Sequence, residues 1–105
     1  METINLVIHH GGSWSDTENM VYSGGKVERL DNFDIDYLSF HELQWHYRNW
    51  GYENACRIWY RLWGINGGEV VEEITDDKDL KLMIANNEGY DDIQLYVVEI
   101  SPPYC

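Results

Sequence analysis

Seven stretches of regularly spaced apolar residues follow one another along this chain, in the order strand, strand, helix, strand, strand, helix, strand. Alternating apolar residues predict strands, and apolar residues three and four positions apart predict helices. The predicted segments are, in chain order, a strand at 4–10, a strand formed by 20–22 and 26–30, a helix at 40–50, strands at 56–62 and 70–74, a helix capped at Asp76 and ended by 87–89, and a strand at 93–100. This order leaves few topologies open, because sequential elements usually lie side by side.

Both helices are marked by the residues at their ends. Ser39 and Glu42 have the spacing of a capping box, in which the serine hydroxyl accepts a hydrogen bond from the Glu42 amide. The first helix is predicted to begin there and to stop near Gly51. Asp76, with Asp79 three positions later, is predicted to cap the second helix. The stripes predicted to face the core are Phe40, Leu43, Tyr47 and Trp50 in the first helix, and Leu80, Met83 and Ile84 in the second.

Two leading strands followed by a crossover helix indicate a mixed sheet with its helices packed on one face. We therefore predict an α+β fold, the ubiquitin-like β-grasp, with about five strands and two helices in the order ββαββαβ. The length of 105 residues fits one domain, 1–105, with its core at about 4–100. The other face of the sheet is then left for water or for a partner.

The charge of the chain narrows the choice of partner. The formal net charge is -12, and only seven residues are Lys or Arg. Binding to a phosphate backbone depends on such residues displacing counterions, so direct nucleic-acid binding is not expected. A protein partner is predicted instead, either a basic one or another copy of the same domain. Residues 69–105 hold ten acidic and two basic residues, so the negative field is strongest in this part of the chain.

Five carboxylates in this acidic part are candidates for a docking surface. They are Asp76, Asp77, Asp79, Asp91 and Asp92. A partner's arginine could contact such a group with two hydrogen bonds. The alternative is local, since Asp76 and Asp79 would satisfy amides at the start of a helix whether or not a partner exists.

A second candidate surface lies on the strand at 56–62. Alternation places four residues on the face opposite the helices, namely Arg57, Trp59, Arg61 and Trp63. Trp and Arg are the residue types that most often anchor interfaces, so we predict an exposed aromatic and basic surface that contacts a partner. The alternative is that the arginines cover the indoles within the monomer by cation-π contacts.

No set of residues in the chain fits a reaction, a metal or a cofactor. His9 and His10 are adjacent, so in a strand they point to opposite faces, and His41 and His46 are five positions apart instead of four. Cys56 lies in an apolar strand, where a buried and inert thiol is expected. We therefore predict a protein that is not an enzyme and that uses no metal and no cofactor.

The two cysteines, Cys56 and Cys105, form no paired framework, and no apolar run approaches the roughly 20 residues of a membrane span. Free thiols are typical of reducing compartments. The sequence thus predicts an intracellular protein, nuclear or cytoplasmic, without membrane association.

Several segments resemble a known family. They are Ser39-Phe-His-Glu-Leu43, the strand around 58–62, Glu73-Ile-Thr-Asp-Asp-Lys-Asp-Leu80 and Leu95-Tyr-Val-Val98. Together they resemble the Phox-and-Bem interaction domains, called PB-one domains. The segments Val7-Ile-His-His-Gly-Gly12, Tyr22-Ser-Gly-Gly-Lys-Val27 and Leu95-Tyr-Val-Val98 are similar, more closely, to the PB-one-like domain at the N-terminus of plant Mutator-like transposases.

This resemblance implies an assembly role, in which the acidic cluster of one domain docks front to back on a basic cluster of another. The chain departs from that pattern in two places. The loop Leu62-Trp-Gly-Ile-Asn-Gly-Gly68 has no acid, so only the second half of the acidic motif is present, as Asp76, Asp77 and Asp79. The first strand, 4–10, lacks the lysine that the complementary type requires.

We predict from these observations a non-catalytic interaction or self-association module, the N-terminal domain of a transposase-derived protein. The catalytic and zinc-binding domains of such proteins would lie beyond this chain. The alternative is an acidic nuclear factor that mimics nucleic acid and occupies a basic DNA-binding partner. Light scattering against concentration separates the two, because the module self-associates whereas the mimic stays monomeric and competes with DNA.

Overall fold

The computed structural model describes residues 2–15, 21–63 and 69–100. Within these ranges the chain forms seven strands, two α-helices and one 3-10 turn. The bounds are β1 Thr3–His10, β2 Ser13–Trp14, β3 Tyr22–Ser23, β4 Lys26–Asp34, the 3-10 turn Ile35–Tyr37, α1 Phe40–Asn49, β5 Cys56–Trp63, β6 Glu69–Ile74, α2 Asp77–Asn86 and β7 Asp92–Glu99.

Five of these strands form one mixed sheet in the order β4-β1-β7-β5-β6. The first and last strands of the chain, β1 and β7, lie side by side and parallel, and every other neighbouring pair in this sheet is antiparallel. The prediction of an α+β fold with a five-stranded mixed sheet and two helices, consistent with the β-grasp, is confirmed.

Apolar residues of both helices pack with one face of the sheet to form the core. The predicted stripes are confirmed, because Leu43, Tyr47, Leu80 and Met83 are buried and Phe40, Trp50 and Ile84 pack against them. The sheet contributes buried residues from four strands, which are Leu6, Ile8, Cys56, Ile58, Tyr60, Ile74, Ile93, Leu95 and Val97. Burying one side chain of this size stabilises a fold by about 1.5 to 3 kcal/mol.

Local signals in the sequence fix the ends of α1. The Ser39 hydroxyl accepts a hydrogen bond from the Glu42 amide at 3.0 Å, so the predicted cap is confirmed. Gly51 follows the helix with a φ of +101°, a conformation that glycine adopts without strain. The helix ends at Asn49, one residue before the predicted end at 50, which is within the usual fraying of helix ends.

The prediction of a single second strand is wrong, because the structure has two strands there. Gly24 and Gly25, with φ of +79° and +80°, turn the chain between β3 and β4. Only β4 joins the main sheet, whereas β3 pairs with β2 in a separate two-stranded ribbon. Trp14 lies opposite Tyr22 in this ribbon.

The backbone at Gly25, next to the ribbon, packs very closely against the backbone at the end of β1. A Cβ atom on Gly25 would lie 2.5 Å from the Gly12 nitrogen and closer still to the carbonyl oxygen of His10. Such an approach of two backbones requires a residue without a side chain. The glycines therefore fix where the ribbon folds back over the sheet.

Neither helix in the described part of the chain has the length or the apolar character needed to cross a lipid bilayer.

Candidate functional site

Three of the five predicted carboxylates lie together at the start of α2. Asp76 caps the helix, since its side chain accepts a hydrogen bond from the Asp79 amide at 3.0 Å. Asp79 reaches back to Thr75 and accepts from its amide at 2.9 Å and from its hydroxyl at 2.8 Å. These two bonds from Thr75 hold the pKa of Asp79 below its ordinary value of 3.8. The predicted cap at Asp76 is confirmed.

Asp77 connects the starts of the two helices. Its carboxylate accepts a hydrogen bond at 2.6 Å from the backbone amide of Phe40, the first residue of α1. The N-terminal end of a helix carries a partial positive charge, so a carboxylate placed between two such ends is favoured by both. We call Asp76, Asp77 and Asp79 the α2 acidic surface.

Asp91 and Asp92 are not part of this surface. They lie at the start of β7, beyond the far end of α2, and the ten residues of that helix span roughly 15 Å. Asp92 accepts hydrogen bonds from the Asn5 amide group at 3.0 Å and from Arg29 at 3.3 Å. These contacts lower the pKa of Asp92 below its ordinary value, with the bond from Asn5 as the larger cause. The predicted carboxylates thus form two groups.

The predicted aromatic and basic stripe lies on the face of β5 that points away from the helices. Arg57 makes two hydrogen bonds with Glu73 of the neighbouring strand, at 2.8 and 2.9 Å. This pairing lowers the pKa of Glu73, and the Arg57 guanidinium also lies 5.0 Å from the centre of the Trp59 ring. Arg61 lies 5.4 Å from the ring of Tyr96 on the same face. The side chain of Trp63 lies outside the described residues.

The expectation that Trp59 is exposed is wrong. Only 9% of its surface is accessible, because Trp14 of the ribbon packs edge-on against it with the two ring centres 5.5 Å apart. Trp14 and Tyr22 also contact Tyr96 of β7, with ring centres at 5.1 and 5.3 Å. The ribbon therefore covers the middle of the open sheet face with a second aromatic cluster.

Tyr22 links the ribbon to the sheet by hydrogen bonds. Its hydroxyl accepts a hydrogen bond from the Gly12 amide and donates one to the carbonyl of Val97, each at 2.9 Å. Burial raises the pKa of Tyr22 above its ordinary value, so the hydroxyl keeps the proton that it donates.

The sequence reasoning did not find the roles of Trp14 and Tyr22, although a signal was present. Trp14 follows Gly12 by two positions, and Tyr22 precedes Gly24 by two positions. Aromatic residues that lie opposite each other on antiparallel strands stabilise the pairing, so this symmetric placement is compatible with a hairpin.

His9, His10 and Cys56 take part in packing. His9 hydrogen-bonds Gln94 at 2.8 Å and stacks on Tyr96, and His10 hydrogen-bonds the Tyr52 hydroxyl at 2.7 Å. Burial raises the pKa of Cys56 to about 11, so its thiol stays protonated at neutral pH. Among the described residues, no three His, Cys, Asp or Glu side chains are grouped so that they could hold a metal ion.

The lowered pKa of Asp79 predicts how acid affects the protein. A carboxylate whose pKa is lower in the folded than in the unfolded protein stabilises the fold at pH values above its unfolded pKa. This contribution is lost as the pH falls through its folded pKa. We expect Asp79→Asn to be less stable than the wild type near pH 7, with a smaller difference at about pH 3, which lies below the ordinary Asp value of 3.8.

Urea unfolding at the two pH values measures this difference. Glu72→Gln serves as the control, since Glu72 is exposed on β6. A loss of stability in Asp79→Asn that is equal at both pH values would contradict the assignment.

A comparison with protein-family models matches residues 1–99 to the PB1-like domain. Neither the curated proteins nor the solved structures gave a match.

Proposed function

This chain belongs to the PB1-like domain family, and we propose that it is a non-catalytic protein-interaction module that binds a basic partner through the α2 acidic surface. Domains of this family mediate protein-protein interaction or oligomerisation. The choice of partner and of surface is our proposal, and it follows from the charges at the start of α2.

The observation that carries the proposal is the grouping of Asp76, Asp77 and Asp79 where the two helices begin. Each of the hydrogen bonds described above uses one oxygen of its carboxylate. An ionised carboxylate offers about four acceptor positions on two oxygens, so capping leaves room for a partner's Lys or Arg. Capping also fixes the carboxylates in position, which lowers the entropy lost on binding.

The stripe on β5 supports the proposal less well. Arg57 already pairs with Glu73, and Trp59 is buried under Trp14. A partner would have to compete with Glu73 for Arg57 and displace the ribbon to reach Trp59. We therefore place the contact at the α2 acidic surface.

We expect Asp76→Asn/Asp77→Asn/Asp79→Asn to bind the partner at least about tenfold more weakly than the wild type. Asparagine keeps an acceptor oxygen for the caps but removes the three charges, so the fold is retained while the attraction to basic residues is lost. The partner is first isolated by affinity purification with the wild-type domain, then purified and titrated by calorimetry against both proteins.

Asp91→Asn/Asp92→Asn is the matched control, because it removes charge beyond the other end of α2. Equal affinity of the triple variant and the wild type would refute the proposed surface. Sedimentation velocity over a range of concentrations shows whether the partner is a second copy, since only that case makes the wild type sediment faster as it is concentrated.

We also propose that the domain is part of a transposase-derived protein. The support is the resemblance of the segments 7–12, 22–27 and 95–98 to the N-terminal domain of such transposases. Sequencing the full-length transcript tests this origin, and a transcript that encodes no carboxylate-containing transposase domain, intact or decayed, would count against it.

A further inference from the structure

A groove runs along α2, between this helix and the 3-10 turn at Ile35–Tyr37. It consists of two hollows, each with a volume of about 360 Å³, and Ile35 and Ile84 line both. The hollows are neighbours that meet at these two residues, and we call the two hollows together the α2 groove. Volumes of this size are typical of sites that enclose part of a ligand.

Apolar side chains form part of the lining of the α2 groove. Leu38 and Leu80 line the hollow at the start of the helix, and Ile4 and Ile93 line the hollow at its end. Tyr90 stands at the second hollow with 52% of its surface exposed. An apolar centre beside an exposed aromatic residue has the composition of the middle of a protein interface.

The rim of the groove is acidic. Four exposed carboxylates line the two hollows, which are Glu2, Asp36, Asp77 and Glu88. Lys81 is the single basic residue among the lining residues. An occupant with basic residues on both sides of its apolar anchors therefore matches the groove in charge.

The length of the groove suits a short helix. From Asp77 to Ala85 the helix α2 rises by roughly 12 Å, which is just over two helical turns. Residues four apart on a bound helix place their side chains about 6 Å from each other, so two such anchors can enter neighbouring hollows.

We infer that the α2 groove binds a short amphipathic helix of a protein partner, with two apolar side chains one turn apart in the hollows and Lys or Arg along the rim. This inference rests on the proposed function, because the groove adjoins the α2 acidic surface at Asp77. It adds apolar recognition to a contact that otherwise depends on charge alone.

The test uses a fluorescein-labelled helical peptide with two leucines four positions apart and flanking lysines, titrated by fluorescence anisotropy. The wild-type domain is expected to bind it with a dissociation constant in the micromolar range. Ala85 is exposed and lines the second hollow, so Ala85→Lys places a cation and its stem over the groove without removing a core side chain. We expect this variant to bind at least about tenfold more weakly.

Leu82→Lys is the matched control, because Leu82 is on the same helix, is 51% exposed and lines neither hollow. It adds the same charge and is expected to bind within about twofold of the wild type. A second peptide, in which serine replaces both leucines, keeps the charge and is expected not to bind.

Asp76→Asn/Asp79→Asn separates this inference from the proposed function, since neither residue lines the groove. If this variant bound the peptide weakly while Ala85→Lys and Leu82→Lys bound it equally well, the inference about the groove would be refuted. The proposal that the acidic surface makes the contact would still be supported. Unchanged binding in all variants, or equal binding of the serine peptide, would also overturn the groove. If the leucine peptide did not bind the wild-type domain, the inference about the groove would also be refuted.

Discussion

Gly25→Ala is expected to destabilise the fold by about 2 to 5 kcal/mol, which is a large share of the stability of a domain of this size. The φ of +80° at Gly25 strains any residue with a Cβ atom by about 1 to 2 kcal/mol. The added Cβ would also meet the backbone of His10 and Gly12, and neither can rotate away as a side chain does. Such overpacking costs about 1 to 3 kcal/mol more.

Gly24→Ala is the matched control for this experiment. Gly24 has nearly the same φ, +79°, but its nearest neighbour across the crossing is the Gly12 Cα at 3.9 Å. We expect only the conformational strain, about 1 to 2 kcal/mol. Urea unfolding of both variants isolates the cost of the crossing as the difference between them, and equal losses would show that the close approach is unimportant.

Trp14→Ala is expected to destabilise the protein by about 2 to 4 kcal/mol, because it removes the side chain that covers Trp59 and Tyr96. The Trp14 indole nitrogen is buried without a hydrogen-bond partner among the described residues. The substitution therefore leaves no donor or acceptor of another residue unsatisfied. The loss therefore reports packing of the aromatic cluster. Trp59 also gains contact with water, which shifts the tryptophan emission to longer wavelength.

Trp45→Ala is the control, since it removes a tryptophan that is 56% exposed on α1. Its effect on stability is expected to stay within about 0.5 kcal/mol. Thermal unfolding and emission spectra distinguish the two variants. If Trp14→Ala were as stable as Trp45→Ala and kept the wild-type emission, the ribbon would not be the cover that the ring contacts indicate.

The parts of the fold that the sequence predicted are those with local signals. Ser39 and Asp76 were identified as caps because capping depends on residues three positions apart. The stripe through Leu43 and Tyr47 follows from helical periodicity in the same way. Each of these signals lies within one element, so no knowledge of the tertiary structure is needed to recognise it.

The ribbon and the burial of Trp59 depend on contacts between distant residues. A strand of two residues, such as Ser13–Trp14, is too short to show periodicity. Trp59 is covered by a residue 45 positions earlier in the chain, and nothing in β5 itself marks this contact.

In the candidate site too, features that depend on neighbouring residues were predictable, whereas contacts between distant residues were not. The grouping of Asp76, Asp77 and Asp79 follows from their closeness in sequence, whereas the bond from Phe40 to Asp77 joins two separate helices. The separation of Asp91 and Asp92 from this group follows from the length of α2, which the sequence already indicated.

The parallel pairing of β1 with β7 governs when the domain can become complete during synthesis. The ribosome releases Leu6 and Ile8 early, but their neighbours Ile93 and Leu95 emerge only when nearly the whole domain has been made. Contacts between residues so far apart raise the contact order and slow folding. Until β7 arrives, one edge of β1 and one edge of β5 have no partner strand, and open strand edges of this kind are templates for pairing with other chains.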